Sequence, residues 1–276
     1  MNTKKFFILF LCGVMSVGSA LSQQAAKDFA LRQYDSLTQD VVYLVTTDTL
    51  LYSNDAMAQL NELKDYDAHV YDSLMERYVR IDGKISDSII ISQFKSTLIA
   101  ELENMGLKVV PVKASELPDS LSSGRHTLNI AQLEVEEFVT QDSIWSDENG
   151  KAYSYRVPLN GVSFNAWFFY DEKDTANRLT LFSNEVITDG LQGNITYNND
   201  KAVVKYHITR INPNDAYSIA CITAKNSAIY FYNLLLNKYV FNATKGEDKS
   251  YYGIDYDSGN ILTDDEPFDN FDVIPN

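Results

Sequence analysis

The side chains best suited to chemistry in this 276-residue chain start with three glutamates on one predicted strand. Glu134 and Glu136 are two apart, so a strand sets both on one face and turns Glu137 to the other. A carboxylate pair runs glycoside hydrolysis when its separation fits the substrate, whereas on an open sheet it is a solvated face. The histidines, His69, His126 and His207, lie in unlike segments without His-x3-His or His-Glu-x2-His spacing, so zinc finds no ligand set. Phosphate-loop, dinucleotide and Gly-x-Ser-x-Gly motifs are missing from the sequence. Cys221, between Ala220 and Ile222, has no sequence-local partner that would lower its pKa and is expected to be inert core. No catalytic residue is assigned, and the chain is not expected to be an enzyme. No cofactor is expected either, unless it is calcium. Asp255, Asp257, Thr263 and Glu266 stand at positions 1, 3, 9 and 12 of a calcium loop. Gly259 and Asn260 are in the reverse of the order such a loop uses, and Pro267 blocks an exiting helix.

A tripeptide recurs more sharply than any of these. Asp, then Ser or Thr, then an aliphatic residue, Ala, Met or Thr occurs seven times, against about 1.3 expected by chance from the composition. The hydroxyl residues are Ser36, Thr49, Ser73, Ser88, Ser120, Ser143 and Thr175. The pattern resembles the O-glycosylation sequon of exported proteins in Bacteroides-type bacteria, and the resemblance implies a glycan on the middle residue. The competing reading is a helix N-cap, which suits Asp72-Ser73 and Asp87-Ser88. It does not suit Asp142-Ser143 or Asp174-Thr175, which sit between strand-like segments.

These residues are carried by a chain predicted to be α+β, a largely antiparallel sheet of about 5–7 strands packed by N-terminal helices and a long C-terminal helix. Val41 to Thr46 is a short strand. Residues 55–80 have near-helical apolar spacing. Ile91, Phe94, Leu98, Leu102 and Met105 define a helix that ends at Gly106. Leu107 to Val112 is a buried strand whose Pro111 points to an edge or a bulge. Thr127 to Thr140 alternates with a slip near Gln132, the mark of a bulge. Leu159-Asn160-Gly161 is expected to turn a hairpin between 153–157 and 162–170. Asn165 to Tyr170 is apolar on both faces, as a central, doubly covered strand would be. Leu179 to Ile187 is a further strand, and 193–197 with 203–211 form a second hairpin. The last helix follows Asn212-Pro213-Asn214. Its Ala216, Ala220, Ala224 and Ala228 form a close-packing stripe, and Ile222, Ile229, Leu236 and Val240 a second apolar one.

Lys4 and Lys5, an apolar run to Val17 and Ala20-Leu21-Ser22 make residues 1–22 a signal peptide cleaved before Gln23. Cys12 is preceded by Leu11 where a lipoprotein signal carries a small residue. Residues 23–244 are then a single α+β domain. Residues 245–276 hold nine acids and two lysines and are expected to be a solvated, disordered tail. The balance of 38 acidic against 23 basic residues, net −15, argues against nucleic acid as a partner. The mature chain carries no predicted transmembrane segment, because the last helix contains Lys225, Asn226, Asn233, Asn237 and Lys238. The protein is expected in the periplasm or at the outer membrane.

The order of Phe94 to Val112, Leu128 to Val135 and Ala216 to Tyr239 resembles small envelope α/β domains. Examples are the N-terminal domain of the Tol system's periplasmic propeller protein and the curli-secretion lipoprotein. The resemblance covers under a third of the chain and implies a non-catalytic envelope accessory; no site residue comes with it. Three readings follow: an accessory that binds an envelope protein, a glycan-binding or glycan-active protein with Trp145, Trp167 and tyrosines at its site, or a calcium-dependent interaction module. The first is favoured.

Overall fold

A computed structural model describes residues 27, 28, 30–32, 34, 40–56, 77, 79–117, 124–148, 151–171, 178–198, 201–246, 250–255, 258, 260–264 and 272–274. The fold is α+β. Its main sheet holds β1 (Val41–Val45), β2 (Leu50–Asn54), β3 (Lys108–Val112), β4 (Arg125–Glu148), β5 (Lys151–Asp171), β6 (Leu179–Thr188) and β11 (Asp272–Ile274). The strand order is β11-β6-β5-β4-β1-β3, with β2 also on β4. The helical signals in residues 55–80 fall largely outside the described residues.

The sheet is antiparallel from β4 through β5 and β6 to β11, and parallel where β1 joins β3 and β4. The bulge expected near Gln132 is present between Ile130 and Gln132. It marks a change of partner along one edge of β4. Before it, β1 pairs with Arg125–Asn129; after it, β2 pairs with Leu133–Glu137. Pro111 sits in β3, the edge strand, where its missing N–H costs no ladder bond. That strand is only partly covered, with Val109 its one buried residue.

One face of the sheet carries the helices. Helix α1 (Asp87–Asn104) buries Ile90, Ile91, Phe94, Leu98 and Leu102, and Phe94 meets Phe164 of β5 at 5.3 Å between ring centroids. Helix α2 (Pro213–Ala243) starts from a capping box in which Asn212 and Asp215 satisfy each other's backbone N–H groups. Ala216, Ala220, Ala224 and Ala228 are all fully buried. The stripe therefore brings the α2 axis close to its neighbours, as small residues permit. The second stripe divides: Leu236 and Val240 are core, Ile229 is half-buried and Ile222 is exposed. Cys221 is half-buried on this helix, not fully core. No helix of the described residues is long and apolar enough to cross a membrane.

Two further sequence expectations are corrected. Asn160-Gly161 is no turn: β5 runs unbroken through it, and the chain reverses between Glu148 and Lys151. Gly161 lies instead under the Phe138 ring, and Asn160 donates from its backbone N and Nδ2 to the buried Asp189 carboxylate. Within the acidic C-terminal stretch, β9 (Tyr251–Ile254) and β10 (Ile261–Asp264) pair as a hairpin docked on α2. Tyr252 is fully buried there, and its backbone exchanges hydrogen bonds with the Asn237 amide at 2.7 and 2.8 Å. Burial of one aromatic ring and satisfaction of a strand edge by a helix amide outweigh the solvation that the charge count predicts.

Beyond Gly161 the β4–β5 pair projects past β6 as a two-stranded arm. A second small sheet, β7 (Gly190–Asn198) with β8 (Lys201–Thr209), packs on one face of it. Ile144, Val157, Leu159 and Ile195 form this separate apolar cluster. Gly193 is required at the junction, since a Cβ there would lie 2.6 Å from Ile144 Cδ1 and 2.8 Å from Lys205 O.

Candidate functional site

Two features stand out: a cavity beside the C-terminal half of α2, and the exposed side of the β4–β5 arm. The cavity, about 590 Å³, is walled by Tyr34, Asp40, His126, Tyr170, Lys238 and Tyr239, among others. Asp40 precedes β1, His126 opens β4, Tyr170 closes β5, and Lys238 and Tyr239 lie on the last turns of α2. The alignment of strand ends follows from register, since His126 pairs with Val42 on one side and Leu128 with Tyr170 on the other.

At its base runs a hydrogen-bonded chain. His126 Nε2 is 3.1 Å from Asp40 Oδ2, and His126 Nδ1 is 3.1 Å from the Tyr170 hydroxyl. A carboxylate only accepts, so His126 Nε2 carries a proton and donates it to Asp40, and Nδ1 shares a hydrogen bond with the Tyr170 hydroxyl. Tyr170 is 1% exposed and His126 7%. The Lys238 ammonium sits 4.8 Å from the centroid of the Tyr170 ring, a cation–π distance. Sequence reasoning counted His126 only as one of three scattered histidines. Its partners are 86 and 44 residues away, and no local motif links them.

The three glutamates fall on the two faces that their spacing predicts. Glu134 and Glu136 do share the sheet face away from the helices, and Glu136 accepts long hydrogen bonds from Ser163 and Asn165 at 3.3 and 3.4 Å. Glu137 points the other way and is 1% exposed. It accepts from the Tyr52 hydroxyl, from Asn54 Nδ2 at 2.7 Å, and from the backbone N–H groups of Arg80 and Ile81. Burial, reinforced by the Glu137 carboxylate, pushes the Tyr52 phenol far above its ordinary range. This knot ties β2 and the turn at Ile81 to β4.

Asp255 Oδ1 accepts from Ser258 N at 3.0 Å, and Asp255 N donates to Asn260 O at 2.8 Å, closing the β9–β10 hairpin. Thr263 lies within β10 opposite Tyr252. The calcium pattern is therefore laid over a hairpin, with Asp257 and Glu266 outside the described residues. Among the described residues no group of three or more His, Cys, Asp and Glu side chains is placed to hold a metal ion. His207 is exposed on β8, far along the chain from His126, and His69 lies outside the described residues.

Of the seven Ser/Thr positions, Ser36, Ser73, Ser120 and Thr175 lie outside the described residues. Thr49 and Ser88 are exposed and Ser143 is half-buried. Capping does not account for Asp87-Ser88, because the N-cap of α1 is Ser86 and makes no side-chain cap bond.

On the arm, Ser143 and Trp145 of β4 stand opposite Arg156 and Ser154 of β5. Alternation turns them away from Ile144 and the β7–β8 cluster. Trp145 is 69% exposed. At the margin of the covered face, Tyr155 and Tyr206 meet at 6.0 Å between ring centroids, each more than two-fifths exposed.

No protein-family model matches the chain, and no curated protein matches it. Among solved structures it is similar to a chain assigned as a neuraminyllactose-binding hemagglutinin homolog from Helicobacter pylori. Identity is 12% over 76% of this chain and 89% of that one, with a TM-score of 0.34.

Proposed function

We propose that the protein is an exported accessory of the cell envelope that binds a protein partner through the β4–β5 arm and catalyses nothing. The supporting observation is Trp145, a large apolar ring left 69% exposed on a paired two-stranded element. Binding hot spots concentrate in Trp, Tyr and Arg surrounded by polar groups. The face bearing Trp145 has that make-up: Arg156 lies diagonally across, with Ser143 and Ser154 around it. The arm is braced from behind by β7–β8, so little ordering would be needed on binding.

The helix face suggested by the second apolar stripe is a poorer candidate, since Leu236 belongs to the core. Export and a periplasmic or outer-membrane-associated location remain part of this reading, on the strength of Lys4-Lys5 and Ala20-Leu21-Ser22. The non-catalytic reading draws on the Asp40–His126–Tyr170 chain, which ends on a phenol 1% exposed instead of on an accessible nucleophile.

The test is the size of the native assembly extracted from the host envelope. Wild-type protein should migrate in a complex larger than the mature chain alone, and Trp145→Ser with Arg156→Ser should release it as a folded monomer. A monomer in both cases, or a complex indifferent to both changes, removes the proposal.

A further inference from the structure

We infer that the cavity between the start of β4 and the end of α2 is a binding site for a neutral saccharide. Volume and lining agree: about 590 Å³ falls within the range of small-ligand sites, which are largely apolar with a few fixed polar groups. Tyr239 and Leu235 supply ring and aliphatic surface from α2, and Tyr34 adds a third tyrosine edge to the wall. A sugar ring presents a C–H face to such surfaces and hydroxyls at its rim, which both donate and accept.

The polar groups are arranged for hydroxyls. Asp40 is held in place through Oδ2 by the buried His126. Its second oxygen, Oδ1, has no hydrogen bond among the described residues. It lies beside Gly124, whose φ is +72° and whose missing side chain leaves that oxygen clear: a Cβ there would come within 2.8 Å of it. Asp40 Oδ1 is thus a preorganised acceptor at the cavity wall, positioned by a chain that continues through His126 to Tyr170. Lys238 and Asn242 line the same cavity from α2 and supply donors.

Charge decides against the alternatives. Asp40 and Lys238 are the charged lining residues described, one of each sign. An anion would meet Asp40 and the negative end of the α2 dipole; a cation would meet Lys238. A neutral polyhydroxylated ligand meets neither penalty. Nothing in this inference depends on the arm.

Equilibrium titration of the full chain with cellobiose, maltose and chitobiose, with spermidine and citrate as charged controls, tests it. Saturable binding of at least one disaccharide is expected, weakened about tenfold or more by Tyr239→Ala and by Asp40→Asn. Asp40→Asn can retain the bond to His126 while replacing the carboxylate acceptor pair, and thermal unfolding of both variants checks that the fold is kept. Trp145→Ser should leave saccharide affinity unchanged, so failure here and failure of the arm proposal are separately visible. Absence of saturable binding by all three disaccharides, equal binding by the folded variants, or preference for either charged control overturns the inference.

Discussion

The ring of Phe138 lies so close to Gly161 that a β-carbon at position 161 would fall 2.3 Å from Phe138 Cζ. The two residues face each other across β4 and β5. Position 161 is therefore glycine for lack of room, not for a turn. Gly161→Ala should destabilise the fold by about 1–3 kcal/mol, the usual cost of overpacking. Phe138→Leu should recover part of that loss in the double variant. Chemical denaturation of the four proteins of the cycle measures the coupling.

Asp189 is a second fixed point. Its side chain is fully buried and accepts from Asn160 N, Asn160 Nδ2, Arg210 Nη1 and Ile211 N at 3.1, 2.8, 2.6 and 2.9 Å. It joins β5 to the β6–β7 junction and to the segment entering α2. Asp189→Ala leaves these donors unpaired, and a loss of about 3–5 kcal/mol is expected. Arg210→Ala removes one donor from a partly exposed site and should cost clearly less. Thermal and denaturant unfolding compare the two.

The Tyr52–Glu137 bond predicts an alkaline limit. The Tyr52 pKa is raised in the fold above its ordinary value of 10.0. Its contribution is therefore fully present below that value and is lost as pH rises toward the folded pKa. Wild-type stability should fall above pH 10.0 more steeply than that of Tyr52→Phe, which should be less stable than wild type at neutral pH. Parallel curves for the two proteins would show that Tyr52 is not linked to alkaline unfolding.

Glycosylation at the Asp-Ser/Thr sites is expected to follow exposure. Thr49 and Ser88 are exposed, whereas Ser143 is half-buried on the same arm face as Trp145. Protein from the native host should lose discrete mass on Thr49→Ala and Ser88→Ala and keep it on Ser143→Ala. Intact-mass spectrometry reads this directly, and a native mass equal to the bare polypeptide would return the motif to chance or local backbone bonding.

Local signals in the sequence were sufficient for α1 and α2, because their periodicity, Gly106 and the Asn212-Pro213 start act within a few residues. The bulge beside Gln132 was legible for the same reason, since alternation slips by one. The Asn160-Gly161 turn was misread because the same dipeptide serves a reversal or a tight crossing, and only Phe138, 23 positions back in sequence, tells them apart. The parallel placement of β1 and the split edge of β4 depend on long-range pairing. The cavity was invisible: Asp40, His126, Tyr170 and Lys238 come from four elements, and each alone is an ordinary polar residue. Trp145 was legible as a residue, but its exposure follows from β7–β8 covering the opposite face of the arm.

Site-specific photo-crosslinking in the native envelope tests the partner-binding account most directly. A photoreactive amino acid at position 145 should give one dominant adduct to an envelope protein, while the same probe at Ile222, exposed on α2, should give none of that adduct. Equal yields of that adduct at the two positions, or no adduct from position 145 in folded, exported protein, would contradict the assignment of the β4–β5 arm as the docking surface.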